Sequence, residues 1–176
     1  MRTDYVLDQQ VELVLQLLTP ENRVALRVAL HTGLRIGDVL QLRTAQLKPN
    51  FWITEQKTGK RRQIGLPGPL LEDCRRIAGK EWVFQGVDPR KHRTRQAVWK
   101  DVKRAAIACR FTQNVAPHSF RKVYAVKLME EYGDMERVRR ALNHSNMEVT
   151  MLYALADHMA KHPMKKRRKA PGRPGA

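Results

Sequence analysis

Apolar residues near the start of the chain recur at helical spacing: Val11, Val14, Leu15 and Leu18 fall on one face. Thr19 followed by Pro20 reads as a cap and first-turn signal for a second helix, predicted over Pro20–Thr32 and ended by Gly33. Apart from Arg23 and Arg27 this helix is apolar nearly all round, which predicts a place at the centre of the core. Between Phe51 and Leu66 the period changes from 3.6 to 2. Phe51 and Ile53 alternate with Trp52 and Thr54, then Arg62, Ile64 and Leu66 alternate with polar or small residues. With Thr58-Gly59 as the turn, the pattern predicts a β-hairpin carrying Lys57, Lys60, Arg61 and Arg62 at its tip. Helical spacing resumes over 69–78, 95–109, 118–132, 134–142 and 147–158, where Asp134 and Asn146 suit the N-caps of the last two helices. The expected class is mainly α with a small antiparallel β-sheet, an α+β domain over residues 1–162. A tail over 163–176, built of Lys, Arg, Pro and Gly, is expected to be disordered when free.

A chain of 176 residues is enough for one domain of ordinary size, and 42% hydrophobic content allows it a proper core. No apolar run reaches the roughly 18 residues that a membrane helix needs, and residues 1–8 are too polar for a signal peptide, so a cytoplasmic, DNA-associated location is expected. Cys74 and Cys109 are too few for a disulfide framework or a four-cysteine metal site, and each sits in a helical pattern where a small buried hydrophobe is the plainer reading.

Charge changes the picture. Lys and Arg number 34 against 17 Asp and Glu, a net charge of +17. Seven of the bases lie in residues 161–176 (Lys161, Lys165, Lys166, Arg167, Arg168, Lys169 and Arg173), which leaves 27 bases against 17 acids in the first 160, so the body is basic too. Such a balance calls for a polyanionic partner. Neither end supplies a basic amphipathic helix or a lipidation signal, so double-stranded DNA is favoured over a membrane surface.

Three short segments carry residues suited to chemistry. Thr32-Gly33-Leu34-Arg35-Ile36-Gly37-Asp38 sets an arginine at a glycine-marked helix junction, where by itself a solvated cap is the usual explanation. Pro117-His118-Ser119-Phe120-Arg121 sets His118 and Arg121 three apart, on one face near a helix start. In Leu142-Asn143-His144-Ser145-Asn146 a histidine occupies a short turn, and Tyr153 follows nine residues after it; a lone tyrosine on an amphipathic helix is more often core than catalytic.

Taken in this order, with Lys57-Thr58-Gly59 in the hairpin between the first two, the segments resemble the tyrosine recombinase (phage integrase) family over nearly the whole catalytic domain. The resemblance implies site-specific DNA strand exchange through a 3′-phosphotyrosyl intermediate, with no metal and no other cofactor. It implies that Arg35 and Arg121 clamp the scissile phosphate, Lys57 protonates the leaving 5′-oxygen, His118 helps activate the nucleophile, His144 hydrogen-bonds a non-bridging oxygen and Tyr153 attacks. Asp38 stands where glutamate is common in the family, and would orient its neighbours. Lys60, Arg61, Arg62, Lys122 and the tail residues Lys165, Lys166, Arg167, Arg168 and Arg173 are expected on the DNA side. The partners implied are a homotetramer on two DNA sites and accessory DNA-bending proteins. Two alternatives stay open: a DNA-binding regulator of the same fold that does not cut, and a type IB topoisomerase-like enzyme. Only about 30 residues precede Thr32, so the chain reads as an isolated catalytic domain or a minimal recombinase.

The implied roles suit the residue types. A phosphodiester is anionic and resists nucleophiles, and two guanidinium forks both neutralise it and stabilise the transition state. A tyrosine hydroxyl, with a pKa of about 10, needs a base, and a histidine, at about 6.5, can accept its proton at neutral pH. Lys60 rivals Lys57 as the general acid; the position before Thr58-Gly59 favours Lys57. In the tail, Pro171-Gly172-Arg173-Pro174 is reminiscent of an AT-hook, although unspecific phosphate binding is preferred. His158 and His162, four apart, lack a third ligand, and a solvated helix end is the better reading.

Overall fold

The computed structural model describes residues 3–142. Seven α-helices and one two-stranded sheet follow one another along them: α1 (Asp8–Leu17), α2 (Pro20–Thr32), α3 (Ile36–Leu40), β1 (Asn50–Thr54), β2 (Arg61–Gly65), α4 (Gly68–Ile77), α5 (Arg95–Ala108), α6 (Pro117–Tyr132) and α7 (Met135–Leu142), with a 3₁₀ turn at Thr44–Gln46. The class is mainly helical with a small antiparallel sheet, as the periodicity predicts. None of the described helices is long and apolar enough to cross a membrane.

The second helix sits at the centre, in contact with α1, α3, α4 and α6. Val24, Ala25, Leu26, Val28 and Ala29 of α2 are all buried, which is why its apolar residues run nearly round the helix. A smaller cluster of Ala125, Val126, Met129, Val138 and Leu142 seats α7 on α6. Asp134 caps α7 as expected, accepting the Glu136 N–H at 2.9 Å. Thr19 precedes α2 but does not cap it with its side chain; its N–H and hydroxyl both donate to Asp101 Oδ2, which also accepts from Asn22. That carboxylate ties α2 to α5.

Phe51 pairs with Ile64, and Ile53 with Arg62, so the inward face of the hairpin carries three apolar side chains and one arginine. The connection differs from the expected two-residue turn. It spans residues 55–60, closed by Glu55 N–H to Lys60 O at 3.0 Å and by Gly59 N–H to Glu55 O at 2.8 Å. Gly59 has φ +65, the left-handed conformation that glycine adopts without steric cost. The wider loop lets Glu55 turn inward while Lys57 stays exposed.

Two features have no counterpart in the periodicity. The five-residue α3 is too short to show a helical pattern, and residues 79–93 are held by the isolated bridges Arg43↔Trp82 and Gln85↔His92. The predicted helix over 147–158, its cap Asn146 and the basic tail lie outside the described residues.

Candidate active site

The C-terminal end of α2 organises the site. Gly33 ends the helix with φ +67, and a Cβ there would come within 2.3 Å of the Tyr124 ring, so both the backbone and the close approach of α6 call for glycine. The next turns of chain, Leu34 and Arg35, lead into α3. The exposed carbonyls at the end of α2 carry the negative pole of that helix, and arginines satisfy them. Arg62 Nη2 donates to Thr32 O, and Arg121 Nη1 to Gly33 O. Arg121 Nη2 also donates to Leu142 O at 2.6 Å. Arg121, 1% exposed, therefore joins the ends of α2 and α7.

A cavity of about 380 Å³ opens beside these residues, lined by Arg35, Asp38, Lys57, Arg95, His118 and Arg121 among others. Four residues of the expected catalytic set, Arg35, Lys57, His118 and Arg121, thus converge from an interhelix junction, a hairpin loop and one helix. The two others, His144 and Tyr153, lie outside the described residues, as do Lys165, Lys166, Arg167, Arg168 and Arg173. Leu142, held by Arg121, is the last described residue before them.

Behind the cavity lies a buried ionic cluster. Glu55 is 0% exposed; its Oε2 accepts from Arg35 Nη1 at 2.8 Å, and its Oε1 lies 3.8 Å from Arg62 Nη1, a distance for an ion pair but too long for a hydrogen bond. Asp38 Oδ1 accepts the Gln56 N–H at 3.0 Å and so fastens α3 to the hairpin loop. Burial raises the Asp38 carboxyl above its usual range against the lowering effect of the Gln56 hydrogen bond, with Glu55 adding to the rise. Arg35 Nε, Asp38 Oδ2, Glu55 Oε1 and Arg62 Nη1 are buried without a hydrogen-bond partner among the described residues. Such a concentration of buried polar atoms without hydrogen bonds marks a place built for something other than stability.

His118 is pulled down to about 4, first by burial and then by the charges of Arg121, Lys122 and Arg35. At neutral pH it is an uncharged imidazole. Arg121 is pulled down to about 10 by burial and by Arg35, and keeps its charge.

The positions of other expected residues divide. Lys60 and Arg61 are exposed on the hairpin, with the Arg61 guanidinium 5.3 Å from the centre of the Trp52 ring. Arg62 is not at the tip: it shares the inward parity of Ile64, is half-buried and is spent on Thr32 and Glu55. Lys122, too, is not placed on an open surface: it is 4% exposed, and its ammonium donates to Thr3 O, so it holds the N-terminal segment. Two residues at the site stand outside the motifs. Arg95, the first residue of a helix capped by Thr94, lines the cavity, and the cap followed by arginine is the signal for it in the sequence. Glu55 looks in the sequence like one more polar residue of a hairpin loop.

Residues 5–159 match the model of the phage integrase family. The chain belongs to that family. It is 31% identical over 130 residues to the probable integrase/recombinase YoeC of Bacillus subtilis, covering 70% of this chain and 71% of the relative. To the tyrosine recombinase XerD of Staphylococcus saprophyticus it is 27% identical over 157 residues, covering 82% of this chain and 52% of XerD. The fold superposes with a TM-score of 0.74 on a lambda integrase dimer bound to a COC′ core site, at 18% identity over 97% of this chain and 52% of that one. The chain thus spans about half the length of XerD and of the lambda protein. The family expectation and the tyrosine recombinase catalytic fold both hold.

Proposed function

We propose that this protein breaks and rejoins DNA strands through a phosphotyrosyl intermediate, with Tyr153 as nucleophile. The observation that carries the reading is the convergence of Arg35, Lys57, His118 and Arg121 on one cavity. Arg35 and Arg121 supply fixed positive charge where a phosphodiester would sit, and this charge gains strength as the pentacovalent phosphorane gathers negative charge. His118, neutral before substrate arrives, accepts the tyrosine proton; the bound phosphate offsets the neighbouring cations and raises the basicity of the ring. Lys57, exposed on a loop beside the cavity, donates a proton to the 5′-oxygen as it leaves. His144 holds a non-bridging oxygen. The bond between Tyr153 and the 3′-phosphate stores the energy of the cleaved phosphodiester, so attack by a 5′-hydroxyl restores a DNA strand with no external energy source.

Double-stranded DNA is the substrate in this reading, worked on by a tetramer that holds two sites. Lys60 and Arg61 touch the backbone beside the cavity, and the tail over 163–176 adds sequence-independent affinity. Ending the chain at residue 163 should lower the log–log salt slope by about 0.9 for each phosphate the tail no longer neutralises, and an unchanged slope removes the tail from the interface.

The nucleophile is tested with a nicked suicide substrate, denaturing electrophoresis and peptide mapping of protein attached to a 3′-phosphate. The parent should form an adduct at Tyr153, and Tyr153→Phe should bind DNA about as well and form none. An adduct on Tyr124 or Tyr132, or one that persists in Tyr153→Phe, sinks the assignment. No adduct in the parent at a proven site moves the protein to a non-cutting DNA-binding role.

A further inference from the structure

Glu55 is the least expected residue in this site. A fully buried carboxylate is costly unless it is paired, and three guanidiniums, those of Arg35, Arg62 and Arg121, gather near it. One oxygen takes the hydrogen bond from Arg35 at 2.8 Å and the other faces Arg62 at 3.8 Å. Arg62 is fixed in turn by Thr32 O at the end of α2, the residue before Gly33, whose carbonyl fixes Arg121. The bracing therefore runs from the helix end through Arg62 and Glu55 to Arg35. Arg35 is 16% exposed at its side chain, and its Nε has no partner among the described residues, so Glu55 is what sets the direction of the fork. With Asp38, the cluster sets two carboxylates against three guanidiniums, and Lys57 and Arg95 add two further cations to the cavity wall.

We propose that Glu55 is a positioning residue: braced by Arg62, its carboxylate aims the Arg35 guanidinium into the cavity and lowers the positive field there. The proposal rests on the phosphodiester reading of the cavity. A phosphate then meets an arginine already oriented, and the buried carboxylate weakens the ground-state hold on DNA that a more positive floor would exert. Removal of the negative charge should move binding and cleavage in opposite directions, which an ion pair serving only stability would not do.

Glu55→Gln keeps the shape of the side chain and one acceptor oxygen. It should bind a random-sequence duplex about threefold more tightly, because one buried negative charge near the phosphate is gone. Adduct formation on nicked genomic DNA from the source organism should slow about 100-fold, the usual penalty for a misplaced group in a preorganised site. In the DNA-free protein the NMR order parameter of the Arg35 Nε–Hε bond should fall as the fork loses its anchor. Glu55→Gln/Arg62→Gln restores the charge balance without the bracing, so duplex affinity should return to the parent value while the adduct rate and the Arg35 order stay low. That double variant buries no unpaired charge of this pair, and it decides the matter if Glu55→Gln alone does not fold. Parent-like adduct formation in Glu55→Gln, weaker duplex binding, or an Arg35 order parameter that does not move would each overturn the proposal. If the parent itself forms no adduct, the phosphotyrosyl reading fails, and the order parameter and duplex affinity still judge Glu55.

Discussion

Two regions of this protein are equally buried and opposite in kind. The contact between α2 and α6 is aliphatic and aromatic, with Leu26, Val28, Phe120 and Val123 all at 0% exposure. One helix end away, the floor of the cavity buries Glu55, Asp38 and Arg121, with Arg35 and Arg62 half-covered, and Arg35 Nε and Asp38 Oδ2 have no hydrogen-bond partner among the described residues. The first region gains free energy from every atom removed from water. The second gives some back in desolvation, and what it holds in exchange is a rigid positive field. Gly33 is the hinge between them, with the Tyr124 ring against one side and a carbonyl offered to Arg121 on the other. The lesson is that the apolar pair of helices supplies the stability that the charged floor consumes.

The contrast breaks first at Arg35. Arg35→Lys keeps a cation for Glu55 but loses the planar fork, so the melting temperature should stay near the parent value while adduct formation falls about 100- to 1,000-fold. Single-turnover cleavage and a thermal melt measure the two sides; a parallel loss of stability would show that the floor also supports the fold. Leu26→Ala is the mirror image. It should cost about 3 kcal/mol in denaturant unfolding, and the surviving folded protein should cleave at close to the parent rate. A folded but inactive Leu26→Ala would mean that core and floor are not separable.

Gly33→Ala strikes both at once. The left-handed φ and the Tyr124 ring together should cost about 2 kcal/mol. Gly33→Ala/Tyr124→Ala should relieve the steric part and leave the backbone part, which separates the two causes; equal loss in the single and double variants would remove the ring from the account.

The last effect is a pH slope, spread over more than two pH units. His118 has a folded pKa of about 4 against an unfolded value of about 6.5, so between those values the unfolded chain binds more protons and stability should fall as pH drops. Above about pH 6.5 this contribution is flat. Asp38, with its carboxyl raised, acts in the opposite direction and favours the fold at low pH. His118→Gln should therefore flatten the acid side of the stability curve. An unaltered slope would show that the ring is solvated, and that the cations around it do not hold it neutral.

Much of this was legible in residue order. The hydrophobic period placed Pro20–Thr32 as the central helix to the residue, and changed to a period of two where the strands lie. The family pattern sets Arg35, Lys57, His118 and Arg121 apart without reference to the fold, because each stands next to a glycine, a turn or a helix start that local chemistry makes visible. Arg62 alternates with Ile64 and Leu66, and that parity already turns it inward.

What the residue order could not decide is which charged groups go inside. Arg121 and Lys122 are neighbours at the start of α6, and both are buried, one joining two helix ends beside the cavity and the other tied to Thr3 some 119 residues away in sequence. Glu55 sits in a polar stretch that any local rule assigns to a solvated loop. It is buried because α2, α3 and the hairpin close around it, and its partners there are two arginines, 20 residues before it and seven after, that arrive together. Periodicity records the free energy of a side chain facing oil or water, a property of one segment. The free energy of a buried charge depends on partners that only the assembled fold brings within reach.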